Sequence, residues 1–269
     1  MKNITSTQNK LIKYLLHLQS KSSFRRKEGR FVVEGKRELK FAFQGGYKIE
    51  KLFFVPEFVQ YDWIQQILDT YKAEPELIQI NMQVYRRLAY RDSTEGVIGL
   101  GISKRHDLSE LKLSDNPLLL IAENIEKPGN IGAMIRTADA AALDALIIAN
   151  PVTDLYNPNI IRSSIGGVFT VNIATASSEE VADFLSKHKI RLFAATLQNS
   201  NPYYEENFTE PTAIAVGSEA EGLTQILRKA AYKNIIIPME GNLDSLNVSV
   251  SAAVLIFEAK RQRKKLQRL

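Results

Sequence analysis

Residues 117–150, PLLLIAENIEKPGNIGAMIRTADAAALDALIIAN, decide the fold. Leu118–Ala122 and Ala145–Ala149 are apolar at every position, so both faces of each run call for cover. Residues 131–142 between them read as an Ala-rich helix. A strand, a helix and a second strand in this order predict parallel pairing. The same kind of short run recurs at Thr170–Ile173, Arg191–Ala195, Ala213–Val216 and Asn234–Ile237, with helices expected at 158–164, 178–188, 223–230 and 248–266. The second half of the chain is therefore an α/β domain on a parallel sheet.

Three polar stretches follow strand-like runs in this half. They are Asn130–Ala138 (NIGAMIRTA), Gly217–Leu223 (GSEAEGL) and Ile237–Ala252 (IPMEGNLDSLNVSVSA). Open α/β sheets build their sites beyond the carboxyl ends of strands, so the three are expected to converge. Each also has an ordinary structural reading. Asn130, Ser245 and Asn247 suit helix caps, and Gly217 and Gly222 suit a turn. Arg136 sits in a small-residue helix and needs either an ion-pair partner or a role in the site.

The 269 residues allow two domains of ordinary size or one large one, and 45% hydrophobic residues are enough for a buried core. No cysteine is present, which excludes a disulfide scaffold, a thiolate metal site and a cysteine nucleophile. His17, His106 and His188 lie apart and outside the motifs, so no metal site is expected. No apolar run is long enough for a signal sequence or a membrane span, and a cytoplasmic location is expected. Neither G-x-G-x-x-G nor G-x-x-x-x-G-K-[ST] occurs after a strand, which argues against nucleotide folds of those types. The net charge is +5, and its distribution matters more than its size. Residues 1–40 carry eleven Lys or Arg against three Glu, and the final ten residues, KRQRKKLQRL, carry six basic groups and no acidic one. Two basic ends suit a polyanion such as RNA.

The first hundred residues alternate in another way. A helix over 7–20, a strand at Phe31–Val33, a helix over Gly35–Gln44, a strand at Leu52–Val55, a helix over Val59–Tyr71, a strand at Leu77–Ile80, a helix over Met82–Ala89 and a strand at Gly96–Ile102 make a smaller α/β domain over 1–103. A polar linker is expected at 104–116, and the larger domain spans 117–269.

Together these residues resemble the SpoU (TrmH) family of RNA ribose 2′-O-methyltransferases, in the SPOUT superfamily. The first family motif matches Asn130, Gly132, Arg136, Thr137 and Ala138. The second matches Gly217, Glu219 and Gly222. The third matches Ile237, Pro238, Met239, Ser245, Leu246, Asn247, Val248, Ser249 and Ala252. Residues 156–169 (YNPNIIRSSIGGVF) and 31–35 (FVVEG) are also similar, the latter to the family's ribosomal-protein-like RNA-binding module. Two positions depart from the pattern: Ala142 stands where many members have Gly, and Ser218 where many have Asn.

The resemblance implies a SPOUT domain tied in a trefoil knot, a homodimer whose site draws on both subunits, and S-adenosyl-L-methionine as cofactor. It places the cofactor against Thr196, Leu197, Gly217, Ser218, Glu219, Ile237, Met239, Ser245 and Leu246. It assigns Asn130, Arg136, Glu219, Ser245 and Asn247 to catalysis or RNA positioning. It favours ribosomal RNA over tRNA, because N-terminal modules of this type resemble those of rRNA-modifying members. Arg25, Arg26, Lys27, Arg30, Lys36, Arg37 and Arg162 are the expected RNA-binding cations, with Phe24, Phe31 and Tyr47 as aromatics able to stack on bases, although core packing is the expected role of Phe31. A guanidinium stays protonated, so Arg136 is expected to grip a phosphate and stabilise charge on the 2′-oxygen, with the proton going to phosphate, water or Glu219, or with Glu219 instead orienting Arg136. The competing readings are a tRNA methyltransferase, an antibiotic-resistance methyltransferase of the same architecture, and a non-catalytic RNA-binding or ribosome-assembly protein.

Overall fold

The computed structural model describes residues 2–89 and 95–266. The chain divides into two compact units, one formed by 1–105 with 153–170 and the other by 106–152 with 171–269.

The first unit runs β1 (Lys2–Ile4), α1 (Lys10–Ser20), α2 (Ser22–Glu28), β2 (Arg30–Glu34), α3 (Lys36–Gln44), β3 (Ile49–Phe54), α4 (Tyr61–Tyr71), β4 (Glu76–Ile80), α5 (Met82–Leu88) and β5 (Val97–Ile102). Its mixed sheet has the order β1-β4-β3-β5-β2, with β5 antiparallel to both neighbours. Leu15, Leu18, Phe53, Ile78, Tyr85 and Ile98 are in one buried cluster. The helical spacing of Ile12, Leu15 and Leu18 on α1 supplies its buried face.

Two sequence expectations change here. Arg25 is not a surface cation for RNA: it is only 4% exposed. Its Nε and Nη2 donate to the two carboxylate oxygens of Asp154 at 2.9 and 2.7 Å. Its Nη1 donates to the carbonyls of Leu18 and Gln19. Phe31 and Tyr47 are buried as well, against Tyr156 and Phe169, with Phe31 stacked on Tyr156 at 4.8 Å. Phe31 is a core residue, as expected, and Tyr47 is a core residue too, so neither offers a face to a base. Phe24 is half-buried, stacked on His17.

The second unit runs β6 (Leu118–Glu123), α6 (Pro128–Ala140), β7 (Ala145–Ala149), then, after α7 (Pro158–Ser163) in the segment that belongs to the first unit, β8 (Ile173–Ala176), α8 (Ser178–Lys187), β9 (Arg191–Ala195), β10 (Asn201–Pro202), β11 (Thr212–Val216), α9 (Gln225–Ala230), β12 (Lys233–Ile236) and α10 (Val248–Leu266). Among the described residues its sheet has the order β10-β12-β9-β11-β6-β7-β8, and every pairing is parallel. The all-apolar runs are buried on both faces, as a helix-covered parallel sheet requires. The strand expected at Thr170–Ile173 begins three residues later. Val168 and Phe169 form a tight helical turn and pack in the first unit, leaving Ile173 to start β8.

Ala142, where the family often has Gly, adopts φ 44°, in the left-handed region that favours glycine. The basic end of α10 is only partly a free tail. Arg263 donates to the carbonyls of Phe208 (2.9 Å), Asn116 (2.7 Å), Pro117 (3.0 Å) and Glu210 (2.6 Å), and burial pushes its guanidinium pKa down. Arg263 thereby fastens α10 to the segments that enter β6 and β11. No helix among the described residues is long and apolar enough to cross a membrane.

Candidate functional site

The site lies beyond the carboxyl ends of β9, β11 and β12 in the second unit. Three loops leave there: 196–200 after β9, 217–224 after β11 and 237–247 after β12. They enclose a cavity of about 340 Å³. That volume falls within the roughly 300–1,000 Å³ of small-molecule sites. All nine residues expected to hold a cofactor line it: Thr196, Leu197, Gly217, Ser218, Glu219, Ile237, Met239, Ser245 and Leu246. Its walls are largely aliphatic, with Leu223, Ile235 and Leu255 completing the apolar surface. Exposed Leu197 and Leu246 are large apolar side chains of these loops that line the cavity and that a ligand would cover.

The β11 loop holds its shape through two glycines. A Cβ on Gly217 would stand 2.1 Å from the Gly222 carbonyl carbon and 2.3 Å from the Leu223 nitrogen, so only glycine lets the loop fold back on itself. Gly222 has φ 69°, and its N–H donates to the Ser218 carbonyl at 3.0 Å. The loop then ends at Thr224, the residue before α9. Thr224 donates from its backbone N–H and from Oγ1, both at 2.7 Å, to the carboxylate of Glu123. Glu123 closes β6 and is fully buried. It also accepts from Ser178 Oγ, which in turn accepts from Asn150 Nδ2 at 2.8 Å.

At the cavity rim, Glu219 gathers three segments. Its Oε1 accepts from Asn130 Nδ2 at 3.1 Å and from Asn247 Nδ2 at 3.2 Å, and its Oε2 forms an ion pair with Lys127. Asn247 Nδ2 is also 3.2 Å from Asn130 Oδ1, while Asn247 Oδ1 accepts from Ser249 N and Oγ at the start of α10. Asn247 is thus both a cap and a member of the cluster. Asn130 is not a cap: it lies in the first turn of α6, where Lys127 holds the cap position. The Lys127 ammonium, and then the Asn130 amide, hold the Glu219 carboxyl below its ordinary pKa.

Three of the five residues assigned to catalysis therefore touch one another, and Ser245 lines the cavity beside them. Arg136 stands apart. It is exposed, and no hydrogen bond or ion pair engages it among the described residues. The expected pairing of Glu219 with Arg136 is not formed, because Lys127 takes that place. Six residues along a helix turn the side chain through about 600°, so Arg136 points roughly 120° away from Asn130 and lies about 9 Å further along the axis.

Of the expected RNA-binding cations, Arg26 and Lys27 are exposed on α2. Arg30 pairs with Glu50 at 2.6 Å, Arg37 pairs with Glu38 at 2.9 Å, and Lys36 Nζ donates to the Phe58 carbonyl at 3.3 Å. Arg162 is half-buried on α7.

Sequence reasoning passed over Lys127 and Glu123. Each had a signal. A cation at a helix N-terminus opposes the helix dipole, so Lys127 needed a carboxylate partner. A carboxylate ending an all-apolar strand likewise needs donors when buried.

Among the described residues, no group of three or more His, Asp or Glu is placed to hold a metal. For S-adenosylmethionine the fit is favourable on two grounds: an aliphatic cavity of suitable size, and a wall carrying Glu219, Glu221 and Asp244, which suits a cationic ligand.

Comparison with known proteins places this geometry. Residues 117–257 match the SpoU rRNA Methylase family, and residues 9–99 match the MRM3-like substrate binding domain. The chain is 28% identical over 259 residues to the 23S rRNA (guanosine(2553)-2′-O)-methyltransferase RlmP of Bacillus subtilis (strain 168), covering 96% of this chain and 98% of that one. Among solved structures, an RNA 2′-O ribose methyltransferase superposes with a TM-score of 0.83 at 41% identity, covering 97% of this chain and 99% of that chain. The SpoU methyltransferase AviRb from Streptomyces viridochromogenes, in complex with the cofactor AdoMet, superposes with a TM-score of 0.87 at 26% identity, covering 96% and 99%. With the family match spanning the β6–β12 sheet and all three motif loops, the chain belongs to the SpoU rRNA methylase family.

Proposed function

We propose that this protein is an S-adenosylmethionine-dependent RNA methyltransferase that modifies a ribose 2′-hydroxyl of ribosomal RNA. The observation that carries the reading is the cluster of Asn130, Glu219 and Asn247 at the rim of the cavity, in a chain of this family. Bound in the cavity, S-adenosylmethionine supplies an electrophilic methyl group on a sulfonium.

The protein's own residues do the rest. The 196–200, 217–224 and 237–247 loops hold the donor in one orientation, and alignment of this kind removes about 7–11 kcal/mol of barrier. Glu219 is saturated by two amides and an ammonium, and its proton affinity is lowered. Its task is to lock α6, the β11 loop and the start of α10 together; the 2′-proton leaves instead to the neighbouring phosphate or to water as the methyl is transferred. Arg136 holds the phosphate beside the target ribose and stabilises charge developing on the 2′-oxygen.

Since Arg136 and the Glu219 cluster of one chain face apart, a complete site takes Arg136 from a second copy. The surface for that copy is the outer side of α10 and α6, which pack on each other. Val250 and Phe257 are 48% and 49% exposed, and half-buried Ala253 and Val254 complete an i, i+3, i+4, i+7 stripe. Beside it α6 presents Ala133, Arg136, Thr137 and Ala140. A homodimer closed on this face covers the stripe and brings each Arg136 toward its partner's cavity. The family's trefoil knot belongs to the same reading, as does an RNA-binding domain of residues 1–103 joined by the 153–170 segment of the same unit. Arg26, Lys27, Arg30, Lys36, Arg37 and Arg162 supply its cations.

The test is transfer of labelled methyl from S-adenosylmethionine to ribosomal RNA and, separately, to tRNA, each from cells lacking this gene. Label in ribosomal RNA, lost in Arg136→Ala, supports the proposal. Label in tRNA alone corrects the substrate. No label in either pool, with no cofactor binding by calorimetry, refutes the enzyme reading. Light scattering tests the dimer: Val254→Glu is expected to give a monomer, and a wild-type monomer refutes the shared site.

A further inference from the structure

The cavity wall has an asymmetric charge. Its lining residues include three carboxylates, Glu219, Glu221 and Asp244, and a single cation, Arg228. Arg228 stands on α9, half-buried, beside the loop that follows β9. One Nη2 hydrogen bond, to Gln198 Oε1, draws the guanidinium toward that loop. None of the three wall carboxylates pairs with it, and its remaining N–H groups have no partner among the described residues.

A half-buried guanidinium with unused donors at a ligand cavity is an acceptor site for an anion. Its planar fork matches a carboxylate through two parallel hydrogen bonds. The cofactor of this reading carries two positive centres, the sulfonium and the α-ammonium, and one negative centre, the α-carboxylate. The wall carries the complementary set: an acidic majority and one arginine. Glu219 is already neutralised by Lys127, so the uncompensated negative charge on the wall belongs to Glu221 and Asp244.

Resting on the assignment of this cavity to S-adenosylmethionine, we propose that Arg228 receives the cofactor's α-carboxylate. The contact fixes which way the amino-acid arm lies. The arm runs toward the Gln198 and Arg228 corner, and Gln198 holds the fork in register from the opposite side. A salt-bridged fork at the arm also selects an intact amino-acid moiety, so analogues without the carboxylate bind less well.

The probe pair is S-adenosylmethionine and its decarboxylated analogue, which differ only in the anionic group. Calorimetry is run on the full chain for wild type, Arg228→Gln, Arg228→Lys and Gln198→Ala. Arg228→Gln is expected to weaken S-adenosylmethionine binding by about 10- to 100-fold, the worth of a charge-assisted hydrogen bond. Binding of the decarboxylated analogue should stay within about twofold, and Arg228→Lys should fall between. Equal weakening of both ligands in Arg228→Gln, matched by Gln198→Ala, overturns the proposal and leaves Arg228 a prop for the β9 loop. An unchanged affinity in Arg228→Gln overturns it as well. Failure of the wild type to bind either ligand overturns the cavity assignment itself, and the proposal with it.

Discussion

Replacing Glu123 tests whether a buried carboxylate far from any solvent holds the β11 loop in place. Glu123 accepts three hydrogen bonds: from Ser178 Oγ, from Thr224 Oγ1 at 2.7 Å and from the Thr224 backbone at 2.7 Å. Alanine strips all three donors of their acceptor. A buried unsatisfied donor costs about 1–3 kcal/mol. Ser178 Oγ keeps its contact with Asn150, and hydroxyls rotate, so the total for Glu123→Ala comes to about 3–5 kcal/mol. Glutamine behaves differently. With its oxygen toward Thr224 N–H, its amide faces two hydroxyls that can turn to accept, so only the charge-assisted part is lost, about 1–2 kcal/mol. Urea unfolding followed by hydrogen exchange at β6 and β11 amides reads the second unit separately from the first. Cofactor affinity should fall alongside, since Thr224 ends the loop that lines the cavity. An Ala variant within about 0.5 kcal/mol of wild type, or a Gln variant as damaging as Ala, refutes the reasoning.

Four further expectations follow from the geometry. Gly217→Ala places a methyl 2.1 Å from the Gly222 backbone, so calorimetry should show cofactor binding lost while circular dichroism keeps the native helix content. Lys127→Met removes the main cause of the lowered Glu219 pKa. Its carboxyl should then titrate at higher pH in an NMR titration, and the rim cluster should loosen at higher pH as acid is added, because the native contacts need the ionised form. Ala142→Gly relieves a left-handed backbone that costs alanine about 1–2 kcal/mol, against about 0.5–1 kcal/mol of added chain entropy, so a small rise in melting temperature is expected. Arg263→Met removes four hydrogen bonds, but Thr212 still donates to the Pro117 carbonyl from its backbone and to the Glu210 carbonyl from Oγ1, so the second unit should lose about 1–2 kcal/mol. Lysine should rescue little of this, since it cannot reproduce the fork.

The architecture of the second unit was legible because its strands are apolar on both faces, a pattern only a covered parallel sheet satisfies. The convergence of Asn130, Glu219 and Asn247 was legible for a related reason: each follows a strand of that sheet, and parallel strands end on the same side. Partners were not legible. Arg25 and Arg26 are neighbours in a basic run, yet one is buried against Asp154 and the other is exposed, and charge counting cannot separate them. The partner lies 129 residues away. The short strands β1 and β10 escaped notice because three and two residues carry no period. The shift of β8 had a similar cause. The first unit's aromatic cluster claims Phe169, and Thr170 stays in the turn behind it, its N–H donating to the Gly167 carbonyl at 3.1 Å.

That claim bears on how the protein is made. The first unit needs residues 153–170, which supply Asp154 to Arg25 and Tyr156 to Phe31. The ribosome delivers them only after β6, α6 and β7, at about 5–20 residues per second. Arg25 therefore waits several seconds, still hydrated, for its counter-ion, and the N-terminal unit finishes only when the C-terminal unit has already begun. The order of synthesis and the order of completion are interleaved, so a protein cut at residue 105 lacks an internal part of its first unit as well as its second.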